Sequence, residues 1–144
     1  MENIKISFDI IQHDFSKAGE ASSNIKKVLK QLGIPSDTVR KAAVATYEAE
    51  MNIIIHSEGG VIELTVDVDK VKVVAKDKGP GIKDISLAMK EGYSTATSEI
   101  RELGFGAGMG LPNMKRCSDC FDIQSSESSP TIVTMIIYLK KAND

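Results

Sequence analysis

The sequence predicts a single α+β domain on three observations: a period-2 strand near its start, two helical stripes behind that strand, and β-rich runs in the middle and at the end. Its 144 residues suffice for one domain, whereas two would each be starved of core. Apolar residues at 42% and charged residues at 26% are globular values that exclude a disordered, collagen-like or coiled-coil chain. Eighteen Lys and Arg against twenty Asp and Glu leave a net charge of -2, so the field that draws a protein to nucleic acid or anionic lipid is missing. Residues Met1 to Ile11 carry neither a basic segment nor an unbroken apolar stretch, and no apolar run approaches the roughly 20 residues that span a bilayer. A cytoplasmic location is expected.

Ile4, Ile6, Phe8 and Ile10 alternate with Lys5, Ser7 and Asp9, the pattern of a half-buried strand. After Asp14 and Ser16, which can cap, Ala18, Ala21, Ile25, Val28, Leu29 and Leu32 fall on one helical stripe that Gly33 ends. Pro35 and Ser36 open a second helix to about Ser57, apolar over most of its circumference and so expected to be covered by the rest of the fold. The runs from Val61 to Val68 and from Val71 to Ala75 read as a hairpin joined near Asp69 and Lys70. A loop from Asp77 to Gly81 leads to a short helix from about Lys83 to Lys90. A polar, glycine-dense loop then runs from Glu91 to Gly110. A helix from about Leu111 to Asp119 and strands from Phe121 to Ser126 and Thr131 to Leu139 close the domain.

Three constellations carry chemistry. Gly104, Gly106, Gly108 and Gly110 let backbone N–H groups approach an anion at the start of a helix, although glycine-rich loops without ligands are common and this one lacks the Lys-Ser/Thr ending of a P-loop. Asp77, at a strand end before Gly79 and Gly81, is an acceptor suited to an exocyclic amino group such as adenine's, with glycines that admit a flat base; the same spacing is a generic turn signature. Glu48, Asn52 and His56 are four apart, each displaced about 40° from the last on one helix. Asn52 offers a neutral hard oxygen to Mg²⁺, and Glu48, one turn earlier, can accept a proton from an attacking hydroxyl. The plainer alternative has Glu48 and Asn52 facing solvent and His56 ending the helix. Glu50 lies on a different face and is assigned no chemistry.

The order of these signals is more specific than any one of them. A helix with Glu-x-x-x-Asn, a strand ending in Asp-x-Gly-x-Gly, a loop, and Gly-x-Gly-x-Gly opening a helix resembles the Bergerat (GHKL) ATP-binding family over almost the whole chain. Within it, Glu48-Ala49-Glu50-Met51-Asn52-Ile53-Ile54-Ile55-His56 and Asp77-Lys78-Gly79-Pro80-Gly81-Ile82 are similar to the N box and first glycine box of the anti-sigma-factor serine/threonine kinases. Glu91-Gly92-Tyr93-Ser94-Thr95, followed by Gly106-Ala107-Gly108-Met109-Gly110-Leu111-Pro112, is similar to the stressosome switch-kinase branch.

The resemblance implies a two-layer α+β sandwich over residues 1–144, its mixed, mostly antiparallel sheet covered on one face by helices. It implies ATP and Mg²⁺ as cofactors and a STAS-domain antagonist protein as the substrate that is phosphorylated in a partner-switching circuit. By that similarity Asn52 coordinates Mg²⁺, Asp77 binds the adenine amino group, and Gly79 and Gly81 line the base pocket. Gly106, Gly108 and Gly110 close over the phosphates at the end of an ATP lid spanning about 91–110. Glu48 activates the substrate hydroxyl, and His56 supports the phosphate end. A metal, a cradle and one base suffice, because phosphoryl transfer needs positioning and charge neutralisation more than covalent help.

The sequence also departs from the family. Its closing Gly-Thr motif is Pro130-Thr131 here, which leaves the role of Thr131 beside the adenine-binding Asp open, and Gly106 stands near the second glycine box where sigma-binding members often carry Arg, which weakens the case for sigma-factor binding. Arg101 and Lys78 are the nearest cations for phosphate. Cys117 and Cys120 have Cys-x-x-Cys spacing, readable as structural burial, a redox pair or a metal shared between subunits, as a homodimer would allow. His13 is read as ordinary. The competing function is a nucleotide-dependent module that sequesters a sigma factor or other regulator with little catalysis. A detached histidine-kinase catalytic domain ranks third.

Overall fold

The computed structural model describes residues 3–79, 89–90, 110–125 and 129–139. In chain order the elements are β1 (Ile4–Ile10), a 3₁₀ turn (Phe15–Lys17), α1 (Glu20–Gln31), α2 (Ser36–His56), β2 (Gly60–Val66), β3 (Lys70–Asp77), α3 (Gly110–Cys117), β4 (Cys120–Gln124) and β5 (Ile132–Tyr138). The strands form one sheet in the order β1-β2-β3-β5-β4, and every described pairing is antiparallel. This is the expected α+β sandwich, at the antiparallel end of the mixed sheet.

Period-2 alternation sets the register. Ile6 pairs with Leu64, Leu64 with Val73, Val73 with Met135 and Met135 with Phe121. The row beside it runs Phe8, Ile62, Ala75, Val133, Ile123. A one-residue slip would turn these rows to solvent, so burial of one face fixes the pairing. α2 lies against them. Its Ala42, Ala45, Ala49, Ile53 and Ile54 are buried, and α1 and α3 pack on α2 in turn.

α1 departs from the expectation in how it starts. Ser16 Oγ donates to Asp14 Oδ1 at 2.6 Å, and neither residue caps the helix. Gly19 is the N-cap, at φ +91°, and the Glu50 carboxylate on α2 accepts the backbone N–H of Ala21 at 3.1 Å and of Ser22 at 3.4 Å. Glu50 is 1% exposed, and on the face to which the sequence assigned no chemistry it has a definite structural job. At the other end Gly33 takes φ +74°; its N–H donates to Lys30 O and that of Ile34 to Leu29 O, so two last-turn carbonyls are satisfied.

The hairpin turn is set by Asp67, whose Oδ1 accepts the N–H groups of Asp69 and Lys70. β3 consequently begins at Lys70, inside the expected junction. Of the helix expected at 83–90, only Met89 and Lys90 lie within the described residues; Met89 packs on the core. No described helix is long and apolar enough to cross a membrane.

Candidate functional site

Glu48 and Asn52 stand one turn apart on α2, and the first residue of α3 meets both. A Cβ built on Gly110 would lie 3.1 Å from Asn52 Oδ1 and 3.4 Å from Glu48 Oε2. Gly110 therefore lets the start of α3 come close to the carboxamide and carboxylate. Glu48 is half-buried, and burial raises its pKa above the usual carboxylate value while the Asn113 side chain on α3 opposes that rise. Burial lowers the pKa of His56 at the end of α2. A neutral imidazole is thereby favoured at pH 7, which argues against His56 as a cation for phosphate.

The second cluster forms where β3 ends. Asp77 Oδ1 accepts the N–H of Gly79 at 2.9 Å and the N–H of Thr131 at 2.8 Å, and the Asp77 N–H donates to Thr131 O at 3.0 Å. Both side-chain bonds fall on Oδ1, so Oδ2 is free of protein donors among the described residues and keeps its acceptor capacity. Thr131 is buried beside Asp77 despite the Pro130 that precedes it, and its hydroxyl pairs with Ser125 Oγ at 2.6 Å. Gly79 takes φ +103°, which favours glycine. Gly60 admits the close approach of β2 to this end: a Cβ there would collide with the Lys76 carbonyl and stand 2.8 Å from Asp77 Cα.

The last turn of α2 links the clusters. From Asn52 the helix runs one turn to His56, after which the Glu58 N–H donates to Gly79 O and the Lys78 N–H to Gly59 O, both at 2.9 Å. The structure thus gathers Glu48, Asn52 and Gly110 at one place and Asp77, Gly79 and Thr131 at another, tied by backbone pairing. Gly81, Gly106, Gly108, Arg101 and the lid before Gly110 lie outside the described residues. Lys78 is exposed.

An open groove of about 440 Å³ between α1 and α2, lined by Lys26, Val44 and Tyr47 among others, reaches the same Glu48. Among the described residues no group of three His, Cys, Asp or Glu side chains can hold a metal. Both cysteines are free thiols. Cys117 is half-buried, but Cys120 is exposed with its Sγ 3.3 Å from the Tyr138 hydroxyl, so structural burial does not describe the pair.

Sequence reasoning missed Asn113 and Arg116. The signal was available: they follow Gly110 at spacings of three, which keeps all three residues near one face of α3. It also missed Ser125, whose pairing with Thr131 no local pattern announces.

Residues 11–137 match the histidine kinase-like ATPase domain family. The chain is 31% identical over 119 residues to the serine/threonine-protein kinase RsbT of Bacillus subtilis, covering 80% of this chain and 84% of that one. It is 30% identical over 114 residues to the anti-sigma F factor of a Thermoanaerobacter species, covering 76% of each. Its fold resembles that of the RsbU and RsbW domains of Rv1364c from Mycobacterium tuberculosis, with a TM-score of 0.62 at 13% identity over 98% of this chain and 33% of that longer one. A second likeness is to the SiaB-SiaC complex of Pseudomonas aeruginosa, with a TM-score of 0.59 at 12% identity over 92% and 88% of the two chains. Since the family match extends from the end of β1 through nearly all of β5, and so spans both clusters, the chain belongs to the histidine kinase-like ATPase domain family.

Proposed function

We propose that the protein is an ATP- and Mg²⁺-dependent serine/threonine protein kinase that phosphorylates a small STAS-type antagonist protein in a partner-switching circuit. The observation that carries the reading is the meeting of Glu48, Asn52 and the N-terminus of α3 at Gly110. A half-buried carboxylate and a carboxamide oxygen at the start of a helix are a suitable kit for phosphoryl transfer. The family match and the serine/threonine-protein kinase relative support the same activity. The STAS partner is the part implied by the motifs, and the groove between α1 and α2 has Glu48 in its lining.

Asn52 is the residue assigned to Mg²⁺. Its oxygen fits a hard cation that takes one or two protein ligands and keeps its waters, and a dedicated carboxylate cage is not needed. Bound Mg²⁺ supplies charge neutralisation at the phosphates. Asp77 Oδ2 is the acceptor assigned to the adenine amino group, with Gly79 and Thr131 holding that carboxylate in place and Gly81 completing the pocket. Gly110, with Gly106 and Gly108, is assigned to the phosphate cradle and His56 to its neutral flank. Glu48 accepts the proton from the substrate hydroxyl as it attacks. One domain over residues 1–144 houses these roles, and use of ATP accords with a cytoplasmic location.

The test is incubation with γ-labelled ATP, Mg²⁺ and a candidate STAS protein. Label on Ser or Thr is expected, with Glu48→Ala lowering the rate about a hundredfold or more while calorimetry shows ATP binding largely kept. Equal labelling by Glu48→Ala and the parent would reject the role of Glu48. The anti-sigma F factor relatives favour one second reading, a regulator-sequestering module, and it would form complexes in the same incubation without labelling them.

A further inference from the structure

β1 stands at one edge of the sheet. It pairs with β2 on one side, and among the described residues no backbone hydrogen bond reaches its other side. The register with β2 is unbroken from Ile4 to Ile10, so the strand has no bulge, and its seven residues include neither Pro nor Gly. Of the devices that keep a sheet edge from pairing with another chain, β1 has only the charges of Lys5 and Asp9, and these are of opposite sign. Its apolar row is also incomplete, because Ile4, Ile6 and Phe8 are only partly buried.

We propose that this edge binds a second copy of the chain: β1 pairs antiparallel with the partner's β1 about a two-fold axis through Ser7, joining the two sheets into one. Read in either direction the strand carries matching chemistry, apolar at Ile4, Ile6, Phe8 and Ile10 and polar between them. Centred on Ser7, the pairing sets Lys5 opposite the partner's Asp9 and Asp9 opposite the partner's Lys5, while Ile6 meets the partner's Phe8 and Ile4 the partner's Ile10. The period of two keeps both apolar rows on the face that carries the helices. No other register does as well. Centred on Lys5 or Asp9, the strands would set like charges face to face; centred on Ile6 or Phe8, they would pair fewer residues and bring no ion pair. Lys5 Nζ already lies 3.2 Å from Glu63, but its side chain is 66% exposed and an ammonium has three donors, so it can serve both carboxylates. The opposite edge lacks this match, since β4 has five residues and, centred on its middle, would oppose Asp122 with itself.

The test is the mass of the full chain in solution, followed by sedimentation across a concentration series. A particle of twice the 15.6 kDa of one chain is expected at the upper concentrations. Lys5→Asp and Asp9→Lys should each weaken self-association about tenfold, because both symmetric pairs become like-charged. The double variant exchanges the two signs and should recover most of the loss. The register has its own readout. Ser7→Cys, in a background with Cys117→Ser and Cys120→Ser, sets a thiol opposite its own copy at a Cα separation of about 4.5–5.5 Å, which a disulfide can span. Oxidised glutathione should then yield a covalent dimer, whereas Thr65→Cys in the same background, one strand further from the axis, should not. A monomer at every concentration up to about 1 mM, a dimer indifferent to both single charge variants, a double variant weaker than either single one, or cross-linking through Thr65→Cys as ready as through Ser7→Cys overturns the proposal. If a charge variant does not fold, the two cysteine variants decide the question.

Discussion

The Glu50 carboxylate accepts the backbone N–H of Ala21 at 3.1 Å across 29 residues of sequence, so α2 caps α1. α1 has no side-chain cap of its own. Glu50→Ala would leave two N–H groups of the first turn without their acceptor inside the protein, and we expect a loss of about 2 kcal/mol in urea unfolding. Glu50→Gln keeps one acceptor oxygen and should recover part of that loss.

At Asp77 the two protein donors share Oδ1. Asp77→Asn can keep that oxygen in place, but it puts an NH₂ where Oδ2 was, which would oppose the adenine amino group proposed to bind there. Calorimetry should therefore show ATP affinity falling at least about tenfold with the unfolding midpoint little changed. Unchanged affinity would remove Asp77 from the base pocket.

Gly110→Ala tests the approach of α3 to α2. The new methyl would press on Asn52 Oδ1 at 3.1 Å, a side chain able to move only by giving up its present position. We expect kcat to fall about tenfold or more with a stability loss of about 1 kcal/mol or less, read by labelling and by urea titration.

Glu48 should leave a mark on pH dependence in two opposite ways. Burial raises its folded pKa above 4.5, and the carboxylate is the active form in the role proposed for it, so labelling should decline as pH falls through the raised value. For stability the sign reverses: the folded chain holds this proton more tightly, so the contribution is full below the unfolded pKa and is lost as pH rises through the folded one. Glu48→Gln should therefore unfold at higher urea than the parent at pH 7, with the gap closing toward pH 4.5. A gap that widens on acidification contradicts the assignment.

Thr46 is fully buried, and its hydroxyl is without a hydrogen-bond partner among the described residues. Thr46→Val replaces that hydroxyl by a methyl of similar size, and thermal unfolding should show a gain of about 1 kcal/mol with labelling unchanged.

What could be read from the sequence was what repeats locally. Ile4 to Ile10 announced β1 because its alternation needs no partner to be recognised, and Pro35 with Ser36 announced α2 because the start signal lies within the helix's own first residues. The Glu48-x-x-x-Asn52 spacing likewise survives as a real adjacency, closed by Gly110. The start of α1 was misread because its true acceptor comes from another helix, and Asp14 and Ser16 were satisfied by each other. Thr131 was left open by Pro130, yet the bond to Asp77 uses the backbone N–H of Thr131, which any residue but proline supplies.

That bond joins positions 54 residues apart and lies next to the start of β5. A chain in which β1, β2 and β3 have paired completes the seat for Asp77 only once β5 has docked beside β3. The acceptor proposed for the purine amino group is therefore held in place only in a chain whose sheet has closed as far as β5.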